Sequence, residues 1–212
     1  MRTVSATRHQ TVVMLTTSYP RFPGDAVGTF MEPIARGVAA RGHKVHVVAP
    51  WHPLLRRPDE PGVRFHFFRY APIRALNVFG YAAALKADIA LRPTAYLAAP
   101  IALAAGWRAV RQVAAETGAT VLHAHWVIPG GVTAAASGIG LPLVVSLHGS
   151  DVFIAESHRV ARRAARFAFR RAGWVTACSE DLRRRAVHIG ANPERLTVVP
   201  YGVDGMRFRP NS

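Results

Sequence analysis

Val12-Val-Met-Leu-Thr-Thr17, running on into Ser18-Tyr-Pro-Arg-Phe-Pro-Gly24-Asp-Ala-Val-Gly28, is the stretch whose reading decides the fold. The first part is apolar on both faces, as a central parallel strand requires, and the Gly/Pro-rich part after it reads as a loop. From Thr29 to Arg41 the apolar residues Phe30, Ile34, Val38 and Ala39 recur at helical spacing, and Gly42 stands where a helix C-cap glycine belongs. Lys44-Val-His-Val-Val-Ala49 is a second strand, closed by Pro50. Strand, loop, helix and strand in this order make a βαβ unit, which crosses over right-handed.

The same alternation continues outward. A Pro- and Arg-rich loop leads to Gly62, and Val63 to Tyr70 reads as a third, more amphipathic strand. Residues 73–91 and 94–117 read as two Ala-rich helices, the second ending before Gly118. Thr120 to His125 is a fourth strand, Pro129 to Ser137 a short helix of small residues, and Pro142 to Leu147 a fifth strand. Residues 157–172 predict a basic helix, Trp174 to Cys178 a sixth strand, and Ser179 opens a helix that ends near Gly190. Leu196 to Val199 is the seventh strand. There are no internal repeats. The pattern predicts an α/β fold: a Rossmann-like, doubly wound, mostly parallel sheet with helices on both faces. Residues 1–10 are expected to be a flexible N-terminus, 11–195 the domain, and 196–212 its last strand and the start of a linker.

Composition sets outer bounds. The chain has 212 residues, enough for one domain with a substantial core, and half of them are apolar. A single cysteine, Cys178, excludes an internal disulfide framework and a Cys-based zinc site. It fits a reducing compartment, and no signal peptide is visible. The uncharged Ala-rich stretch Pro93 to Trp107 is broken by Pro100 and too short to span a bilayer; it reads as a core helix, with contact to a lipid-like acceptor as the alternative. Twenty-seven basic against 12 acidic residues give a net charge of +15. That favours anionic partners, although Lys occurs only as Lys44 and Lys86, and so Arg-rich drift accounts for part of it.

In such a sheet ligands sit past the carboxyl ends of the strands. The residues there are Gly24 to Thr29, His125-Trp126, His148-Gly-Ser-Asp151, Ser179-Glu180 and Tyr201 to Asp204. The first loop lacks G-x-G-x-x-G, which disfavours a dehydrogenase. Gly24 and Gly28 ahead of a helix still offer backbone N–H groups to a phosphate. His123 and His125 alternate on one side of a strand without a third ligand at metal spacing, and so no metal is expected. His148 follows a fully apolar strand, and Gly149 behind it permits close backbone approach. A neutral imidazole there is suited to hydrogen-bond a sugar hydroxyl. Asp151 is either a helix cap or a direct ligand contact. His148, Ser150 and Asp151 are too close in sequence to form a nucleophile–base–orienter triad. Arg159, Arg162, Arg163, Arg166 and Arg170 fall on one helical face, with Val160, Ala164, Phe167 and Ala168 on another, a pattern suited to anionic lipid headgroups. The arginines are spread over several elements and no reader motif appears, and so no nucleic acid is expected as partner.

Four segments together resemble glycosyltransferase family 4, the retaining enzymes of the GT-B fold. They are Tyr19-Pro-x3-Pro-Gly24-x3-Gly28-Thr-Phe30 with Gly42-His-x-Val45; His123-Ala-His-Trp126; Leu147-His-Gly-Ser-Asp151; and Val199-Pro-Tyr-Gly-Val-Asp204-x3-Phe208-x-Pro210. Tyr201 stands where the family usually has Asn. The resemblance implies transfer of a sugar from a nucleotide-sugar donor to a glycan or lipid-linked acceptor, with retention and with neither metal nor cofactor. It makes this chain the acceptor-side lobe. It implies that His148 contacts the transferred sugar, that Gly24, Gly28, Gly149 and Asp151 lie at the donor, and that Tyr19, Phe30, His125, Trp126, Ser179 and Glu180 face the acceptor. The basic helix then suits peripheral docking at the cytoplasmic face of the plasma membrane. The family's donor lobe would follow Ser212, and so the chain alone is expected to be inactive: a truncation, an excised domain, or half of a split enzyme with a separate donor-domain chain. The other readings are half of a GT-B sugar-nucleotide epimerase and a non-catalytic basic module for membranes or polyanions.

Overall fold

The computed structural model describes residues 9–71, 80, 85–87, 90–91 and 93–202. Parallel pairing needs a crossover between neighbours, and each apolar run is separated from the next by one. The main strands are β1 (Thr11–Leu15), β2 (Lys44–Pro50), β3 (Val63–Phe68), β6 (Val121–His125), β7 (Leu143–Leu147), β8 (Trp174–Ala177) and β9 (Leu196–Val198). They form one all-parallel sheet in the order β3-β2-β1-β6-β7-β8-β9. The chain winds outward from β1 to β3, then returns to the other side of β1 with β6. The switch in direction therefore lies between β1 and β6, where loops leaving the two strand ends part and open a crevice.

Helices α1 (Met31–Ala39), α2 (Pro93–Thr117), α3 (Val132–Ala136), α4 (Ser150–Ser157), α5 (Arg159–Arg171) and α6 (Glu180–Ile189) cover the two faces. Alternation along β1 separates the two cores. Val13 and Leu15 join a large cluster with Leu122, Val145, Leu147 and Ile189, whereas Met14 joins Met31, Ala35, Val45 and Val47 on the opposite face. Each of these side chains is buried, and burial of each one larger than Ala35 contributes about 1.5–3 kcal/mol.

Two expectations need correction. The helix expected over 73–91 lies largely outside the described residues. Inside it, β4 (Leu85–Ala87) and β5 (Ala90–Leu91) pair antiparallel, Leu85 opposite Leu91. Alanine favours helix, but propensity is a weak determinant and local strand pairing overrides it here. The basic helix begins at Arg159, because a separate helix, α4, occupies the preceding residues. Asp151, Val152, Ile154 and Ala155 are all buried in α4, and so it shows no one-sided apolar stripe to read. At the start of the described residues, His9 Nδ1 lies 2.7 Å from the Gly42 carbonyl, and the Gln10 amide donates to His43 Nδ1 at 3.2 Å, and so residues 9 and 10 are tied to the turn before β2.

After β6 the chain makes a tight turn over Val127–Gly131, with Ile128 extended at φ −126° and ψ 123°, and enters α3. The carbonyl of His125 packs so close to Gly130 that an added Cβ would overlap it. Gly130→Ala is therefore expected to destabilise the chain by about 1–3 kcal/mol through backbone displacement, read as a lower urea midpoint at unchanged m.

Candidate functional site

The crevice is built from four strand ends. After β1 the loop 16–30 carries Gly28 at φ 70° and Gly24 at φ 87°. A Cβ on Gly28 would come to 3.2 Å of the Ser18 hydroxyl oxygen, whereas Gly24 faces open space. Asp25 ties this loop together. Arg21 grips its carboxylate with Nε at 2.6 Å and Nη2 at 2.9 Å, and the amides of Arg21 and Val27 also donate to it. The Arg21 guanidinium holds the Asp25 carboxyl well below the usual range. The Arg21-x3-Asp25 spacing was the signal in the sequence for this clasp, and the sequence reading missed it.

The loop ends at Phe30, whose ring lies 4.9 Å from that of His148, 5.7 Å from Trp126 and 5.0 Å from Tyr201. Trp126 follows β6 at φ 61°, a rare conformation for a residue with a Cβ, and lies 4.4 Å from His148. His148 follows β7, and Gly149 behind it takes φ 115° to lead into α4. The structure thus brings Phe30, Trp126 and His148 together beside the end of the Gly28 loop.

Below the aromatic wall runs a polar chain. Nδ1 of His125 lies 3.0 Å from Nε2 of His148, and Nδ1 of His148 meets the hydroxyl of Tyr201. His123 Nε2 meets Ser146 Oγ at 2.8 Å, which meets Thr176 Oγ1 at 2.7 Å. His125 is fully buried, and its Nε2 has no partner among the described residues. The proton order along the chain therefore matters. If the Tyr201 hydroxyl donates to His148, His125 is left with an unpaired N–H; if it accepts, His125 is left with an unpaired lone pair, the smaller cost. Burial pushes all three imidazoles down: His123 to about 4, His148 to about 3, and His125 well below its ordinary value, with neighbouring histidines adding to the shifts of the last two. His123 is only partly buried, yet the walls around it still penalise an imidazolium. At neutral pH the site offers neutral imidazoles, suited to hydrogen-bonding a hydroxyl and not to pairing with phosphate.

Several expected site residues have other duties. Asp151 is 1% exposed, and its carboxylate accepts the amides of Val127 at 2.7 Å, Gly149 at 3.0 Å and His148 at 3.2 Å. Burial raises its pKa, with those amides opposing the shift. It faces the main chain of two loops and not a donor. Tyr19 is fully buried in the smaller core, its ring 5.1 Å from the Arg57 guanidinium and its hydroxyl unpaired among the described residues. It is no acceptor wall, because its apolar ring is worth more against Met14 and Phe65 than in water. His125 lies under His148, away from the surface. Ser179 caps α6, accepting the Leu182 amide at 3.2 Å, and the exposed Glu180 pairs with Arg183 at 3.0 Å. Tyr201, read from sequence as a residue past the last strand end and a variant of the family's Asn but given no role in the site, is part of the wall.

The basic helix divides as well. Arg162 donates to the carbonyls of Ala155 and Glu156, and Arg166 to that of Ile189 at 2.9 Å, and so these two close the C-terminal ends of α4 and α6. Arg159, Arg163 and Arg170 remain exposed. Val160, expected on the packed face, is 79% exposed. Ala99, Ala102, Leu103 and Gly106 of α2 line a pocket with Thr16, Pro50 and Phe68, whose free volume of about 40 Å³ is too small for a sugar. Among the described residues no group of three or more His, Cys, Asp or Glu could hold a metal, and no helix is long and apolar enough to cross a membrane.

A doubly wound parallel sheet with its ligand crevice at the strand ends defines a Rossmann-like α/β domain, as expected for one lobe of a GT-B fold. The family model described as Glycosyltransferase Family 4 matches residues 27–207, and the chain belongs to that family. N-acetyl-alpha-D-glucosaminyl L-malate synthase of Bacillus anthracis is 28% identical over 171 residues, covering 78% of this chain and 39% of the relative. Among solved structures, Anabaena Alr3699/HepE in complex with UDP-glucose matches with a TM-score of 0.62 at 19% identity, over 92% of this chain and 45% of that one. Sucrose-phosphate synthase from Thermosynechococcus elongatus matches with a TM-score of 0.69 at 12% identity, over 96% and 51%. The two solved structures share the fold. The chain thus spans about two fifths of the curated relative's length.

The lowered histidines make stability depend on pH. Below about 6.5 the unfolded chain takes up protons that the folded chain refuses, and so stability is full above that pH and falls toward pH 4. His46, His52 and His66 shift the same way, and only the raised Asp151 opposes them. The fully buried His125 contributes up to about 1.4 kcal/mol per pH unit. Thermal unfolding should therefore show a melting temperature that drops between pH 7.5 and 5, with a shallower slope in His148→Gln. Asp151→Ala leaves three amides without their acceptor and should cost at least about 3 kcal/mol in urea unfolding.

Proposed function

We propose that this chain is the acceptor-side lobe of a retaining glycosyltransferase that moves a sugar from a nucleotide-sugar donor to a glycan or lipid-linked acceptor. The observation that carries the proposal is the neutral His148, held at the end of β7 between Phe30, Trp126 and the Gly28 loop. A neutral imidazole exchanges hydrogen bonds with a sugar hydroxyl at little cost, and flat aromatic rings pack on the apolar faces of sugars. The glycine loop after β1 and the N-terminus of α1 beside it suit the negative charge of a diphosphate. Departure of a nucleoside diphosphate also needs fixed positive charge around the leaving group. In this reading that charge comes from a donor lobe, and this lobe by itself has no useful turnover.

The UDP-glucose seen with the Anabaena structure makes that nucleotide sugar the first donor to test. The experiment is sugar transfer, read by mass spectrometry on glycan and lipid-linked acceptors, for the chain alone and fused to the donor lobe of a family 4 relative. Transfer is expected only in the fused form, with a loss of at least about 100-fold in His148→Ala. Fused protein that turns over no nucleotide sugar, or a His148→Ala form as active as its parent, would falsify the proposal.

A second proposal concerns location. Arg159, Arg163 and Arg170 lie exposed on α5 beside the exposed Val160, a combination suited to anionic lipid headgroups at the inner face of the plasma membrane. Sedimentation with vesicles should show binding to anionic lipid, little to neutral lipid, and a drop of at least tenfold when all three arginines become Ser, at about 1 kcal/mol each. Equal binding to both vesicle types rules it out.

A further inference from the structure

Both ring nitrogens of His148 are occupied from within the chain. Nε2 faces His125 at 3.0 Å, and Nδ1 faces the Tyr201 hydroxyl. A sugar hydroxyl therefore reaches this imidazole only by displacing one partner. His125 is fully buried in β6, where it pairs with Ser146 of β7. Tyr201 is 41% exposed and follows the exposed Pro200, beyond the final strand. It reaches back so that its ring lies within 9° of parallel to that of His148, at 5.9 Å, with Phe30 beside both. Of the two partners, only the phenol stands on the open side of the crevice.

We propose that Tyr201 is a displaceable gate: its phenol occupies the position on His148 that a sugar hydroxyl takes, and it swings out when the sugar enters. The inference rests on the reading of His148 as the sugar contact. A phenol and a sugar hydroxyl each offer one donor and two acceptor lone pairs, and so the exchange conserves the hydrogen bond at Nδ1. What changes is the ring packing on Phe30 and His148 and the phenol's hydrogen bond with the Cys178 side chain, lost as Tyr201 leaves and replaced by contacts with the sugar. The gate thus lowers the apparent affinity for any ligand by the fraction of time that it stands closed. Tyr201 acts here as a positioning residue, selecting ligands that make more contacts in the crevice than the phenol does.

The test uses the full chain with Tyr201→Phe, which removes only the hydroxyl, and Tyr201→Ala, which removes the ring. Thermal unfolding verifies that both are folded. Nitrogen-15 spectra of histidine-labelled protein should show the His148 Nδ1 resonance moving in Tyr201→Phe. Acylation of His148 by diethyl pyrocarbonate, mapped by mass spectrometry, should run several-fold faster in Tyr201→Ala. Titration with UDP-glucose should give an apparent affinity about 3- to 10-fold tighter in Tyr201→Ala than in the parent. An unmoved Nδ1 resonance, an unchanged acylation rate, or equal UDP-glucose affinity in the two forms overturns the gate. If UDP-glucose binds neither form while the resonance and the acylation rate change as expected, the contact at His148 stands, and the reading of that imidazole as a sugar contact is what fails.

Discussion

The carboxylate of Asp151 is the constraint on which the rest of the crevice depends. It lies in α4, almost wholly out of water, and accepts amide hydrogens from Val127 after β6 and from His148 and Gly149 after β7. Two loops that leave adjacent parallel strands would otherwise carry unsatisfied N–H groups into a dry region. One side chain answers both, and in doing so fixes the angle between Trp126 and His148. The glycines nearby follow from the same geometry. Gly149 takes a φ that disfavours a Cβ, and Gly130 lies too near the His125 carbonyl to carry one.

That scaffold keeps the histidines neutral. Three imidazoles sit within two adjacent strands and their ends, with ring centroids 4.2 Å apart for His123 and His125 and 5.1 Å for His125 and His148. A charge on any one would be poorly solvated and would repel the others. The fold therefore gives up acid stability to hold an uncharged hydrogen-bonding surface at a strand end. Among the described residues, exposed arginines such as Arg108, Arg111, Arg159, Arg163, Arg170 and Arg184 lie on helices α2, α5 and α6, away from this surface.

Much of the architecture was legible because parallel strands buried on both faces are continuous apolar runs, and β2, β6, β7 and β9 end at or near Pro or His. That rule placed β1, β2, β6, β7, β8 and β9 within about two residues of their observed bounds. It failed over 85–91, where alanines suit several conformations, and at α4, where burial all round erases periodicity. The site was legible as a set of positions and less so as a set of roles. His148, Phe30 and Trp126 do converge. Tyr19, Asp151 and Ser179 lie where the motif reading put them along the chain, yet turn inward to the core, to main-chain amides and to a helix cap. Arg162 and Arg166 lie on the expected helical face and are spent on carbonyls of neighbouring helices.

The sequence by itself determined the order of strands and helices, the apolar faces and the residues delivered to each strand end, because period and turn chemistry are local properties. Only the tertiary structure decided which of those residues touch one another. Sheet order set β1 beside β6 and β6 beside β7, and so joined histidines 23 residues apart and brought Tyr201, 53 residues beyond His148, onto the same ring. Hydrogen-bond partners and charge states depend on such distances through space, which no one-dimensional spacing encodes.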